Sequence, residues 1–336
     1  MKRAKFTVTV LGLILTAVTT NAQGYKILKT FGIPSPGRWD YIAVCPTNGN
    51  IYVSHQTQVN VLNTNGDSIG VIPNTTGVHG IAFAPALSLG FTSNGKLNTV
   101  TVFDLKDNSI KAHINTGQNP DAIMYDAFTG KVYTCNGGSK DISVIDPKTT
   151  QVVQTIAVDG KPETAVTDGA GMLYVNIEDK NEIEAIDLKN GKVVANWPLG
   201  GAEGPTGLDI DVKTHRLFAG CDGKMVVMDA NTGKIVTTMQ IGKGCDGLVF
   251  DAELKTIYTS NGEGTISVIK EINANKFTLV ENAKTLKGAR TIAMNYKTHI
   301  LYLSTADFAP QPQNAEAHKR PEMIPGSFKV IAVGKE

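Results

Sequence analysis

Tyr52-Val53-Ser54-His55, an aromatic residue followed by two small ones and a polar one, is the first of seven copies of a single pattern. The others are Phe91-Thr92-Ser93-Asn94, Tyr133-Thr134-Cys135-Asn136, Tyr174-Val175-Asn176-Ile177, Phe218-Ala219-Gly220-Cys221, Tyr258-Thr259-Ser260-Asn261 and Tyr302-Leu303-Ser304-Thr305. Successive copies lie about 40 residues apart, the period of a four-stranded propeller blade. Most copies are followed by an alternating apolar segment, as in Val100-Thr101-Val102-Phe103-Asp104, Ile142-Ser143-Val144-Ile145-Asp146 and Ile183-Glu184-Ala185-Ile186-Asp187. A turn and a further strand come next, as in Gly191-Lys192-Val193-Val194 and Gly233-Lys234-Ile235-Val236. Alternation broken by Gly, Asn and Asp predicts short antiparallel strands, and helical periodicity is absent.

The chain ends predict how the ring closes. Residues 25–31 read as a fourth strand with no first three before it, and the last repeat, from Arg290 to Val333, has three strands and lacks a fourth. Joining the two leaves no open sheet edge. The expected fold is therefore all-β: a seven-bladed propeller of four-stranded antiparallel blades, closed by the N-terminal strand completing the last blade. Length alone would suggest two domains for 336 residues, but the repeat makes residues 23–336 one unit. Residues 307–326 break the pattern as a long insertion in the last blade. This stretch is rich in proline and polar residues and carries His318, Lys319 and Arg320. Such a loop is either a tolerated insertion or a lid over the face it projects from.

Residues 1–22 have the pattern of a signal peptide. Lys2, Arg3 and Lys5 precede a short apolar run over 6–18, and Thr20-Asn21-Ala22 offers small residues before a cut near Ala22. The apolar run is shorter than the roughly 20 residues a membrane span needs. A periplasmic or secreted protein without membrane insertion is expected. With a formal net charge of +1, no excess of basic residues points to nucleic acid. The four cysteines, Cys45, Cys135, Cys221 and Cys245, allow three full pairings that sequence does not choose among. Cys221 and Cys245 fall on one face of adjacent blades, where a disulfide or buried packing would both fit.

Candidate site residues follow from aligning the repeats. Counting back from each tetrapeptide aromatic gives the residue leading into each blade's innermost strand: Asp40, His79, Asp121, Glu163, Thr206, Asp246 and Arg290. All but Thr206 are ionisable, and each is followed two residues later by an apolar core position. Short polar residues at such places often only cap a turn, which suits Asp40 and Asp121 better than Glu163, His79 or Arg290. The functional alternative is a charged channel mouth with an acidic excess. Crowded carboxylates would raise one another's pKa unless a cation or Arg290 neutralised them. A second set, His55, Asn94, Asn136 and Asn261, ends the tetrapeptides and is expected near the same face. His55, His79 and Asp40 would suit zinc. Glu163, Asp121, Asn94 and Asn136 would suit calcium or magnesium. His215 and His299 fall on the opposite face and are expected to be solvated.

The tetrapeptides, with Gly37-Arg38-Trp39-Asp40-Tyr41, Val78-His79-Gly80-Ile81-Ala82, Asn119-Pro120-Asp121-Ala122 and Pro325-Gly326-Ser327-Phe328, resemble the YVTN-repeat propellers, in particular their YncE-like secreted branch. The likeness spans residues 25–336. It implies the fold and no single activity. Glu163 is also similar in place to a metal-binding glutamate of calcium-dependent lactonase propellers. Those have six blades, and the rest of their ligand pattern does not transfer. Two function classes stay open. One is a monomeric binding protein taking a small molecule, a metal ion or a protein at the mouth. The other is a metal-dependent hydrolase or lyase using the mouth carboxylates and His79, with His55, His79 and Glu163 as metal ligands. Binding is preferred because no catalytic motif stands out. A quinone dehydrogenase fits poorly, since Trp39 and Trp197 are the only tryptophans.

Overall fold

The computed structural model describes residues 24–310 and 322–336. Their strands form seven four-stranded antiparallel sheets. Blade 1 runs Trp39–Val44, Ile51–His55, Gln58–Leu62 and Ser68–Ile72, from the inner strand to the outer. Blades 2 to 6 repeat this meander, with inner strands Val78–Ala84, Pro120–Asp126, Pro162–Thr167, Gly207–Asp211 and Cys245–Asp251. Blade 7 is Ile292–Asn295, Ile300–Thr305, Lys329–Gly334 and, as its outer strand, Lys26–Gly32 from the start of the chain. Phe31 pairs with Val330 and Ile27 with Val333. The expected closure is therefore observed. The helical elements among the described residues are three single turns of 3₁₀ helix, Pro85–Leu87, Gly95–Leu97 and Glu178–Lys180. None of the described helices is long and apolar enough to cross a membrane.

The core is divided among the joints between blades. Seven clusters of buried apolar side chains each draw on two consecutive blades, and the one containing Phe31, Val53, Ala293 and Val330 joins blade 7 to blade 1. The tetrapeptide explains this. Its aromatic is buried in every blade and faces the next one. Tyr52 packs edge-on against Phe83 of blade 2 and bonds Asn108 at 2.9 Å. Tyr174 donates to the Ala230 carbonyl of blade 5 at 2.9 Å, and Phe218 packs on Phe250 of blade 6 with ring centres 5.1 Å apart. In blades 2, 4 and 6 the third residue also reaches across to the backbone of the next blade. Ser93 donates to the Asp121 carbonyl, Asn176 to that of Gly207, and Ser260 to that of Arg290.

Close approach around the axis also selects glycine. A Cβ at Gly80 would lie 2.9 Å from the Asp121 carbonyl oxygen, and one at Gly207 would lie 2.7 Å from the Leu248 amide nitrogen. Neither contact is one a side chain can relieve, because the partner is backbone.

All four cysteines are free and buried, so of the two readings of Cys221 and Cys245 buried packing is the one observed. One expectation changes. His299 is not a solvated side chain: its Nδ1 pairs at 2.6 Å with Asp251, which is buried. His215 is exposed, as expected.

Phe31 tests the closure, because it is a buried side chain of the strand that completes blade 7. Phe31→Ala should lower unfolding free energy in urea by about 3–5 kcal/mol. Phe128→Ala, at a side chain that is 63% exposed, should cost less than about 0.5 kcal/mol.

Candidate functional site: a charged channel mouth

All seven leading residues meet at one end of the channel. Asp40, His79, Asp121, Glu163, Thr206, Asp246 and Arg290 line a single cavity of about 770 Å³. Ring closure places them there, because each stands at the start of an inner strand and each inner strand touches the next. Tyr41 forms the floor. It belongs to blade 1, yet it packs against the cluster of blades 3 and 4 that contains Ala122 and Ala165. Below it the channel narrows to a cavity of about 180 Å³ walled by Gly80, Gly207, Gly247 and the apolar side chains of Ile42, Ile81, Ile123, Ala165, Leu248 and Ile292.

The charges are arranged in pairs. His79 Nδ1 lies 2.5 Å from Asp40 Oδ2 and 3.8 Å from Asp121 Oδ1. Lys161 Nζ donates to Glu163 Oε1 at 2.6 Å and also to Glu178. Arg290 pairs with Asp246. Burial weakens the imidazolium of His79, but the Asp40 hydrogen bond and the charges of Asp121, Asp40 and Glu163 outweigh it and raise its pKa. Burial and the Asp40 charge push the Asp121 carboxyl up against the pull of His79 and Lys161. Glu163 is raised by burial and by Asp121, with Lys161 opposing. Burial takes Asp246 to about 7 even with Arg290 beside it.

Lys161, Glu178, Arg38, Lys96, Gln56 and Asn119 also line the mouth and escaped the repeat alignment. Lys161 lies two residues before Glu163, and Glu178 follows the blade 4 tetrapeptide directly, so a wider window around each repeat would have included both. With them the mouth has five basic side chains, Arg38, His79, Lys96, Lys161 and Arg290, against five carboxylates, Asp40, Asp121, Glu163, Glu178 and Asp246, and the expected acidic excess disappears.

The tetrapeptide ends behave differently from expectation. His55 is fully buried; its Nδ1 meets Ser35 at 2.7 Å and its Nε2 meets the Gly37 carbonyl at 2.9 Å. Its ring packs on Phe328, 4.1 Å between centres. It is a satisfied core histidine and does not join His79. Asn94, Asn136 and Asn261 are likewise buried, each bracing its own blade: Asn94 to Thr101, Asn136 to Ser143, and Asn261 to Ser267. These residues end the second strand of each blade, Leu89–Asn94, Lys131–Asn136 and Thr256–Asn261, behind the inner strand that walls the channel. The group at the mouth able to hold a metal is Asp40, His79 and Asp121, whose donor atoms lie within 4.8 Å of one another. Glu163 is held by Lys161 outside that group.

The insertion begins beside the mouth. Its base is closed by a bridge between Phe308 and Met323 and by the Ala309 amide on the Glu322 carbonyl at 2.8 Å. His318, Lys319 and Arg320 lie outside the described residues. Phe308 and Trp39, with ring centres 6.1 Å apart, help wall a side cavity of about 280 Å³ together with Arg38, Lys287 and Arg290.

Fold and site together define a seven-bladed β-propeller with a paired-charge channel mouth. No family model matches the chain. Over 138 residues it is 29% identical to the uncharacterized protein YncE of Salmonella typhi and 30% identical to that of Escherichia coli. The matched stretch covers 37% of this chain and 39% of either relative, so the chain spans well under half the length of the curated relatives it matches. Together with the seven-blade ring, these matches support a YncE-like propeller family. Among solved structures, a chain of Kuenenia stuttgartiensis hydrazine synthase superposes with TM-score 0.70 at 15% identity, covering 87% of this chain and 95% of that one. A chain of the mitotic checkpoint complex superposes with TM-score 0.74 at 13% identity, covering 97% and 98%. Both likenesses concern the fold alone.

The raised groups at the mouth give stability a sign with pH. The folded state holds protons that the unfolded chain releases at lower pH, so stability falls as pH rises. Asp246 contributes this fall between its unfolded value of 3.8 and about 7. For His79 the stabilisation is complete below 6.5 and is lost as pH rises through its raised folded pKa. Urea unfolding should show the protein less stable at pH 8 than at pH 5.5, and His79→Gln should flatten the part of the slope above pH 6.5.

Proposed function

We propose that the protein is an extracytoplasmic binding propeller that takes a small dipolar ligand at the channel mouth. The carrying observation is how the mouth is sorted. Carboxylates Asp40, Asp121, Glu163 and Glu178 gather around blades 1 to 4 with His79, Lys96 and Lys161 among them, Asp246 faces Arg290, and the side cavity next to Arg290 adds Arg38, Lys287, Trp39 and Phe308 without a further carboxylate. A ligand with a cationic group would replace His79 or Lys161 as partner of the carboxylates. A planar anionic end would lie against the Trp39 and Phe308 rings at the side cavity and meet the guanidinium groups, whose fork suits a carboxylate. The internal ion pairs keep the mouth charges balanced until such a ligand exchanges with them. The basic run before residues 6–18 supports export to the periplasm or the medium.

Trp39 is the natural reporter. In a Trp197→Phe background its fluorescence should be quenched saturably by 4-nitrophenylalanine. The N-acetyl form and the amide form, which each lack one charge, should bind at least about tenfold more weakly, since a charge-assisted hydrogen bond contributes about 1.5–3 kcal/mol. Equal quenching by all three, or no saturation, would sink the proposal.

A second reading rests on Asp40, His79 and Asp121. If the imidazole loses its proton, this trio offers one nitrogen and two carboxylate oxygens, a donor set suited to zinc, with room in the cavity for a water or substrate oxygen. Residues of this set would then support a hydrolase or lyase. The reading requires stoichiometric zinc bound by the purified protein and lost in His79→Ala and Asp121→Asn. Melting curves indifferent to zinc and chelator would remove it.

A further inference from the structure

Blade 4 carries a second group of carboxylates, none of which lines the mouth cavity. Asp159 sits in the connection from blade 3, Glu182 and Glu184 lie on the third strand of blade 4, Glu182–Asp187, and Asn196 lies on its outer strand, Lys192–Pro198. Glu182 and Glu184 share one face of their strand by alternation, and Asn196 is the register partner of Glu184. One carboxylate oxygen from each acid lies within 4.8 Å of the other two. The amide nitrogen of Asn196 stands among them, 3.1 Å from Asp159 Oδ2, 3.3 Å from Glu184 Oε1 and 3.4 Å from Glu182 Oε1.

Clustered acids are common on protein surfaces, but Glu184 is not at the surface. It is 0% exposed. Its Oε1 accepts from the Asp159 amide at 2.8 Å, while its Oε2 is buried without any hydrogen-bond partner. Burial drives its carboxyl up to about 7, and the charges of Asp159 and Glu182 push the same way. No lysine, arginine or histidine among the described residues forms an ion pair with any of the three; the nearby Lys140 and Lys161 are spent on Asp179, Glu163 and Glu178. A buried carboxylate with a free oxygen and two like neighbours needs either a proton or a cation.

We propose that Asp159, Glu182, Glu184 and Asn196 form a calcium site at the junction of blades 3 and 4. An asparagine amide presents oxygen as readily as nitrogen when it turns over. With Asn196 Oδ1 facing inward, the set becomes three carboxylates and one carbonyl. These are all hard oxygen donors that can bind through one oxygen or two, which suits calcium better than zinc, and their flexible side chains suit it better than magnesium. Bound through both oxygens of Glu184, the cation would also give Oε2 a partner. It would also anchor Asp159, two residues before Lys161, and so steady the segment that presents Lys161 to the mouth.

The site stands apart from any ligand at the mouth, and its test keeps the two separate. Trp197 adjoins Asn196 in the chain, so in a Trp39→Phe background it should sensitise terbium luminescence, with calcium displacing the lanthanide. Calcium should raise the melting temperature and magnesium should do so weakly. Glu184→Gln keeps the shape of the side chain and removes the buried charge. It should fold, melt higher than the parent in chelator, and bind terbium at least about tenfold more weakly. Asp159→Asn should weaken binding in the same direction, while His79→Ala should leave it unchanged. Absence of saturable terbium binding overturns the proposal. So does a calcium response that survives in Glu184→Gln, or one lost in His79→Ala instead, which would put the ion at the mouth.

Discussion

Every part of this molecule depends on packing between neighbouring blades. A four-stranded sheet of about 40 residues cannot bury both faces by itself, so each blade uses the next as the other half of its core. Each joint contains one of the buried tetrapeptide aromatics. Tyr52, Phe91, Tyr133, Tyr174, Phe218, Tyr258 and Tyr302 recur at one register position and are nearly inaccessible to water in every blade. Because the dependence is circular, the ring has no natural end. The N-terminal strand pairs with Lys329–Gly334 as the outer strand of blade 7 and supplies Phe31 to the joint between blades 7 and 1.

The mouth is a consequence of that closure. Seven inner strands meeting around one axis bring their leading residues together whatever their identity. Here six of the seven are ionisable, and the fold crowds them into a partly dehydrated bowl. Crowding makes the carboxylates costly, and the response is pairing: His79 with Asp40, Lys161 with Glu163, Arg290 with Asp246. Such pairs contribute little net stability once desolvation is counted. Their value is that they are exchangeable, leaving a charged ligand something to displace.

Much of the fold was legible in residues 25–336. Blade number, strand direction, the closing strand and the leading positions all follow from period and alternation, because both properties are local and repeat. The side chains at those positions were legible too, from Asp40 to Arg290. Lys161 and Glu178 were not, since their importance lies in reaching back to a position already counted. Glu184 was hidden for a related reason: it reads as an outward-facing residue in an alternating strand, and only its neighbours Asp159 and Asn196 show that it is enclosed.

The sequence by itself determined that the chain is a closed seven-bladed ring and which residues stand at its channel. Only the tertiary structure decided which of them act together. His55 and His79 carry the same chemistry in sequence, yet one is sealed against Phe328 with both nitrogens engaged and the other opens on the mouth between two carboxylates. The physical reason is that strand alternation assigns a side chain to one face or the other, but whether that face is a joint or a channel, and which charge sits opposite, depends on blades distant in the sequence.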